Sequence, residues 1–178
     1  MKRSLIMPLM ALAGAACVTT LALGASGRFM APGVAAADPA EERSVTFDAN
    51  CTVEKEEGKY VVFSTTTKNG NKVGLCGSRD DDGPLSFRGY SFGEIDLYNE
   101  NNTFPASVFQ FHNISAIMAE FDTEWALTIL TIGWDGGKNS LSKGIRSDLS
   151  PACYSGDRPT LSSSGDTSIT SITVFYVC

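Results

Sequence analysis

Apolar and polar residues alternate along much of the chain, with the period of two that is typical of half-buried β-strands. Between residues 44 and 53 the odd-numbered positions are apolar and the even-numbered ones polar, so Cys51 is predicted to face inwards and Asn50 outwards. Further strands are predicted at 60–67, 72–76, 85–92, 94–98, 107–112, 114–121, 125–134 and 169–177. This pattern predicts an all-β fold, a disulfide-stabilised β-sandwich or small barrel of about seven to nine short strands.

Turn residues separate these segments. Asn69-Gly70 predicts a hairpin turn because both residue types tolerate positive φ, and Asp135-Gly136 predicts a tight turn after the most apolar strand. Two segments leave alternatives open. Residues 116–121 also fit a short helix, and residues 138–149 fit either an irregular loop or one helical turn.

The first 37 residues predict an export signal. Lys2 and Arg3 precede an uncharged run from residue 5 to residue 23, and small residues follow. Cleavage is predicted after Ala37 in preference to Gly24, which leaves a flexible lead-in at 38–43 and a single secreted β domain at 44–178. The uncharged run also has the length of an uncleaved anchor, since about 20 residues span a bilayer. We interpret Cys17 as a bystander in this segment rather than a lipidation site.

Four cysteines follow the predicted signal and fall in two pairs, each 25 residues apart: Cys51, Cys76, Cys153 and Cys178. An even number of cysteines in an exported chain predicts a disulfide framework. Pairing 51–76 with 153–178 is the preferred interpretation, with the first strand in a second sheet. In a plain meander the central strand would separate Cys51 from Cys76, and the alternative is pairing 51–178 with 76–153.

Charge excludes several classes of partner. The chain carries a net charge of −6, and removal of residues 1–37 takes away three basic and no acidic residues, which leaves 11 basic against 20 acidic residues and a net charge of −9. Such a surface repels phosphate backbones and anionic lipids. We therefore expect no nucleic-acid partner and no stable membrane insertion after signal removal.

Residues that could support catalysis are few, and we predict no catalytic set, no metal site and no cofactor. His112 is the only histidine, and no nucleophile motif accompanies it. The run Asp80-Asp81-Asp82 predicts a solvated loop tip rather than a calcium site. A paired-carboxylate hydrolase site is the alternative, and its candidate acids are Glu120, Asp122, Glu124, Glu94 and Asp96.

The predicted binding patch lies between positions 88 and 98 and is mostly aromatic. Flat amphipathic rings bury a large area at low entropic cost. The members of the patch are Arg88, Tyr90, Phe92 and Tyr98. Three Asn-x-Ser/Thr sequons predict glycosylation sites at Asn50, Asn101 and Asn113.

These features favour a secreted or extracellular binding module, which could be associated with a surface. Its expected partner is a protein or a glycan on a cell surface or in the extracellular space. The first alternative is a small secreted hydrolase that uses the acids near 120–124 or His112, and the second is a structural coat or matrix component.

Overall fold

A computed structural model describes residues 41–97, 104–111, 113–149 and 159–177. These residues belong to one compact unit, Ala37–Cys178, and they confirm the all-β prediction. The strands are β1 Glu42–Phe47, β2 Thr52–Glu57, β3 Tyr60–Thr66, β4 Lys72–Arg79, β5 Leu85–Phe87, β6 Tyr90–Asp96, β7 Ile114–Thr123, β8 Leu130–Trp134, β9 Gly137–Ser140, β10 Ser147–Asp148, β11 Thr160–Ser163 and β12 Thr167–Val177. No helix occurs in the described part, and none there is long and apolar enough to cross a membrane.

The twelve strands form one open mixed sheet instead of a closed barrel or two separate sheets. One arm runs β2-β3-β4-β6 and continues through β11 and β8 to β9, and the other runs β12-β7-β10 with β1 also paired to β12. The three-residue strand β5 joins the arms, since it pairs with β6 in antiparallel and with β12 in parallel orientation. The predicted small barrel is therefore wrong: the branching at β6 and β12 lets the sheet end in free edges.

Both arms contribute to a single hydrophobic core. Phe63 of β3 lies edge-on to Phe87 of β5 and to Phe92 of β6, with ring centroids 5.2 Å and 6.0 Å away. Phe47 of β1 makes the same kind of contact with Phe111, at 6.0 Å. These rings are at most 4 % exposed, so their burial against aliphatic residues of β7 and β12 is the main stabilising term of the fold.

Several strand boundaries differ from the sequence-based prediction. The segment 44–53 is two strands, because the Asp48 side chain accepts a hydrogen bond from Asn50 N (2.7 Å) and its carbonyl accepts one from Cys51 N (3.1 Å). The resulting turn interrupts an otherwise regular alternation. The segment 85–92 is likewise divided, by a turn at Arg88-Gly89. Residues 107–111 form no strand and share only an isolated bridge with β4, and strands β9, β10 and β11 were not predicted.

The predicted hairpin turn at Asn69-Gly70 and the predicted tight turn at Asp135-Gly136 are both confirmed. Gly70 has φ of 84°, and the β3–β4 ladder continues on either side of the turn. Asp135 and Gly136 join β8 to β9, since Trp134 pairs directly with Gly137. Turn chemistry is local, which explains why the sequence alone identified it.

The described residues contain no disulfide. Strand β3 lies between β2, which follows Cys51, and β4, which contains Cys76. Cys51 and Cys76 are therefore not bonded to each other, and the preferred 51–76 pairing is wrong: the meander that separates them is the observed one. Both side chains are buried, and the inward orientation of Cys51 and outward orientation of Asn50 are confirmed. Cys153 and Cys178 lie outside the described residues, as does the predicted signal segment.

Candidate functional site

The predicted aromatic patch at 88–98 is largely occupied by internal contacts. Arg88 and Gly89 both have positive φ, 55° and 82°, in the two-residue turn between β5 and β6. The Arg88 guanidinium donates hydrogen bonds to the carbonyl oxygens of Ala49 and Cys51, the latter at 3.1 Å. Arg88 thus holds the β1–β2 turn against the β5–β6 turn.

Tyr90 and Phe92 have different environments. Phe92 is fully buried, so it belongs to the core. The Tyr90 hydroxyl donates to Glu56 at 2.7 Å, and Glu56 also accepts a hydrogen bond from Arg79 at 2.6 Å. These two donors lower the pKa of Glu56, and the carboxylate in turn raises the pKa of Tyr90. Tyr98 lies outside the described residues.

The carboxylates of the hydrolase alternative do not form one site within the described residues. Asp122 pairs with Lys143 (2.5 Å), and Glu124 follows the end of β7. Glu94 and Asp96 lie on β6, and β12 and β5 separate β6 from β7 in the sheet order. His112 lies outside the described residues. In the described chain no group of three or more potential ligands could hold a metal ion, including at Asp80–Asp82.

Asp96 has the largest upward carboxyl pKa shift among the described residues. Its carboxylate accepts a hydrogen bond from the Thr160 hydroxyl at 2.8 Å. Burial disfavours the charged form and raises the pKa of Asp96 to about 6, while the Thr160 hydrogen bond opposes this effect. A carboxyl that titrates near neutrality suits acid–base chemistry. The predicted carboxylates at 120–124 lie on or just after β7, whereas Asp96 lies on β6.

A prominent exposed feature is the loop that joins β7 to β8. Trp125, Leu127 and Ile129 are 66 %, 91 % and 50 % exposed, and they account for three of the five large apolar side chains exposed in the described chain. We call residues 125–129 the apolar loop. Isolated exposed apolar residues are ordinary on protein surfaces, whereas three in five consecutive positions indicate a contact surface.

Hydrogen bonds hold the apolar loop against the turn between β11 and β12. Ile129 N donates to the Ser164 hydroxyl (2.9 Å), and Ser164 N donates to the Ile129 carbonyl (3.1 Å). Just before the loop, Glu124 N donates to the Asp166 carbonyl at 3.1 Å. Within it, Thr128 N donates to the Trp125 carbonyl at 3.0 Å. The loop is therefore ordered before any partner arrives, which lowers the entropic cost of binding.

An acidic groove of about 420 Å³ adjoins the apolar loop. Three carboxylates line it, those of Asp122, Glu124 and Asp166. The other lining residues come from the loop before β5, from β5 and β6, from the end of β7 and from the start of β12. They are Gly83, Pro84, Ser86, Ser91, Thr123, Thr167 and Ser168. Because Asp122 already pairs with Lys143, Glu124 and Asp166 are the carboxylates left to face a ligand.

The alternation of apolar residues predicts one strand over 125–134, but the structure has a strand only at Leu130–Trp134, and residues 125–129 form the apolar loop. The sequence does contain the signal for a break: apolar residues occupy the odd positions up to Ile129 and the even positions from Leu130. A strand cannot bury both sets on one face without a change of register. The adjacent pair Ile129-Leu130 therefore marks where the exposed loop ends and β8 begins.

Comparison with known proteins identifies no relatives: no family model, curated protein or solved structure matches this chain. The candidate site consequently depends on its own geometry alone.

Proposed function

We propose that this protein is a secreted binding module whose apolar loop docks into a protein partner. The observation that carries the proposal is the apolar loop, whose backbone is held by hydrogen bonds and whose side chains Trp125, Leu127 and Ile129 are exposed beside the acidic groove. Large apolar side chains at the centre of an interface supply most of its binding energy, and charged groups at the rim set orientation and association rate.

The charge around the apolar loop indicates which kind of partner surface would be complementary to it. Glu124 and Asp166 place negative charge at its base, and the chain as a whole is acidic. The complementary surface is an apolar pocket flanked by Lys or Arg side chains. Anionic lipid surfaces have the wrong sign of charge for this site.

The test measures saturable binding of the labelled full-length protein to intact cells and to fractionated extracellular proteins. We expect the double variant Trp125→Ala/Leu127→Ala to bind at least about tenfold more weakly, because truncating central interface residues typically costs more than 1 kcal/mol each. Glu124→Gln/Asp166→Asn is expected to slow association and to reduce its salt dependence. Ile145→Ala is the matched control, since Ile145 is 61 % exposed and lies outside the loop.

Three outcomes would contradict the proposal. The first is unchanged binding by the Trp125/Leu127 double variant. The second is loop-dependent binding to protein-free zwitterionic vesicles, which would identify a membrane as the partner. The third is loop-dependent self-association of the purified protein, which would support the coat hypothesis instead. A substrate turnover whose pH–rate profile changes in Asp96→Asn or Glu124→Gln would favour the hydrolase hypothesis.

The exported state, disulfide framework and glycans belong to the same proposal. Asn50 and Asn113 are exposed, as a glycan acceptor must be, and Asn101 lies outside the described residues. Since Cys51 and Cys76 are not joined, the framework that we now propose links each of them to one of the two remaining cysteines, Cys153 and Cys178. Loss of one cysteine would then leave an odd thiol and lower the secreted yield.

A further inference from the structure

A second cleft lies where the start of β1, the β3–β4 turn, the segment before β7 and the end of β12 meet. It consists of two adjoining hollows of about 270 Å³ and 160 Å³. They share four lining residues, Arg43, Thr67, Asn69 and Tyr176. None of these residues belongs to the apolar loop or the acidic groove, so the cleft is a separate candidate site.

An exposed ring forms one wall of the cleft. Phe109 is 59 % exposed, although its backbone is fixed on both sides: Phe109 N donates to the Lys72 carbonyl (2.9 Å), and its carbonyl accepts from Gly74 N (3.0 Å). In the same lining, the buried rings of Phe111 and Tyr176 pack edge to face with centroids 5.5 Å apart. The Phe109 ring is thus a positioned apolar platform open to solvent.

Polar side chains without partners form the opposite rim. Within the described residues, the side chains of Arg43, Asn69 and Asn71 make no hydrogen bond or ion pair. Their backbone positions are nevertheless set, because Thr67 N donates to the Asn71 carbonyl at 2.8 Å and Gly70 N donates to the Thr67 carbonyl at 2.9 Å. The rim therefore presents a guanidinium and two amides whose hydrogen-bonding capacity is open to a ligand.

Positive charge predominates among the side chains that face the cleft. Arg43 and Lys68 are its cations, and Glu41 and Glu42 are its acids. Glu42 is already bound by two hydrogen bonds from Arg146, at 2.7 Å and 2.8 Å. Among the residues that the structure describes, the two cations thus face one carboxylate that is in no ion pair, that of Glu41, in a protein that is otherwise strongly acidic.

We infer that this cleft binds a saccharide unit that bears a carboxylate, such as the terminal acidic sugar of a glycan. The apolar face of a sugar ring can stack on Phe109, the two amides can exchange hydrogen bonds with ring hydroxyls, and Arg43 can bind the carboxylate through two parallel hydrogen bonds. The smaller hollow is of the size of one sugar ring. This inference does not depend on the docking of the apolar loop.

The test titrates the full-length protein with two oligosaccharides that differ only in their terminal residue, one ending in glucuronic acid and one in glucose. Ligand-observed NMR provides the binding readout. We expect the acidic oligosaccharide to bind at least about tenfold more tightly, the difference that one charged hydrogen-bonded pair makes. Arg43→Ala should abolish this preference, and Phe109→Ala should weaken binding of both oligosaccharides.

Matched variants control for unspecific effects. Lys138→Ala removes an exposed cation and Ile145→Ala an exposed apolar side chain outside the cleft, and both are expected to bind like the unaltered protein. Thermal melting verifies that each variant is folded. Equal affinity of the unaltered protein for the two oligosaccharides, a preference for the acidic one that survives Arg43→Ala, or no binding of either oligosaccharide would each overturn the inference. The Trp125→Ala/Leu127→Ala variant separates the two proposals, since it should bind the acidic oligosaccharide normally.

Discussion

At the scale of single residues, the chain places polar groups where burial changes their chemistry. Asp96 sits on β6 directly opposite Cys76 of β4 and opposite Thr160 of β11. The Asp96 side chain is only partly open to water, and its carboxylate accepts a hydrogen bond from the Thr160 hydroxyl. Such a carboxyl is more readily protonated in the folded than in the unfolded chain.

Asp96→Asn should therefore flatten the dependence of stability on pH. Because the folded-state pKa of about 6 exceeds the ordinary value of 3.8, the stability from protonated Asp96 is fully present below about pH 4 and is lost as pH rises through 6. We expect the variant to be more stable than the unaltered protein at pH 8, by about 1–3 kcal/mol. The two proteins should converge towards pH 4.

Urea unfolding between pH 4 and pH 8 measures this difference. Asp81→Asn is the matched control, since it makes the same change at an aspartate that is exposed. Parallel pH profiles for Asp96→Asn and the unaltered protein would show that burial does not perturb this carboxyl. The Asn side chain can still accept the Thr160 hydrogen bond, so loss of that bond does not confuse the comparison.

At the scale of elements, close packing on strand β4 depends on residues without a side chain. Gly77 of β4 faces Phe92 of β6 so closely that an added Cβ would overlap the Phe92 ring. Phe92 is fully buried and packs against Phe63 and Tyr90, so it has no free space into which to move. The pairing of β4 with β6 thus needs glycine at this position for space rather than for backbone conformation.

Gly77→Ala is expected to lower the free energy of unfolding by about 1–3 kcal/mol, the usual cost of overpacking a core. Gly133→Ala on β8 is the matched control, because the nearest atom to an added Cβ there is the Thr160 carbonyl oxygen at 4.0 Å. Chemical denaturation of both variants gives the comparison. Equal stabilities for the two variants would mean that the Phe92 ring can be displaced at little cost.

At the scale of the whole molecule, the order of strands determines which cysteines can meet. Strand β3 lies between β2, which follows Cys51, and β4, which contains Cys76, so the sheet separates these two cysteines although they are only 25 residues apart in the sequence. Peptide mapping of the unreduced protein by mass spectrometry should yield no peptide that links Cys51 to Cys76. A linked 51–76 peptide that disappears on reduction would contradict the observed strand order.

The candidate site was only partly predictable. Local signals identified the hairpin turns at Asn69-Gly70 and Asp135-Gly136, and alternation identified the inward-facing Cys51. The prediction of a binding patch at 88–98 did not include the hydrogen bonds from Arg88 to two carbonyl oxygens about forty residues earlier in the chain. Only the tertiary fold brings these groups together. The pinning of the apolar loop likewise uses residues of the β11–β12 turn, 35 positions away.

The sequence by itself determined that this is an all-β, acidic chain with short strands, because side-chain alternation, turn chemistry and charge are properties of neighbouring residues. Only the tertiary structure decided the open twelve-stranded sheet, the separation of Cys51 from Cys76 and the grouping of Trp125, Leu127 and Ile129 with the acidic groove. Strand order and surface neighbourhood depend on pairings between distant segments, and many such pairings satisfy the same local pattern.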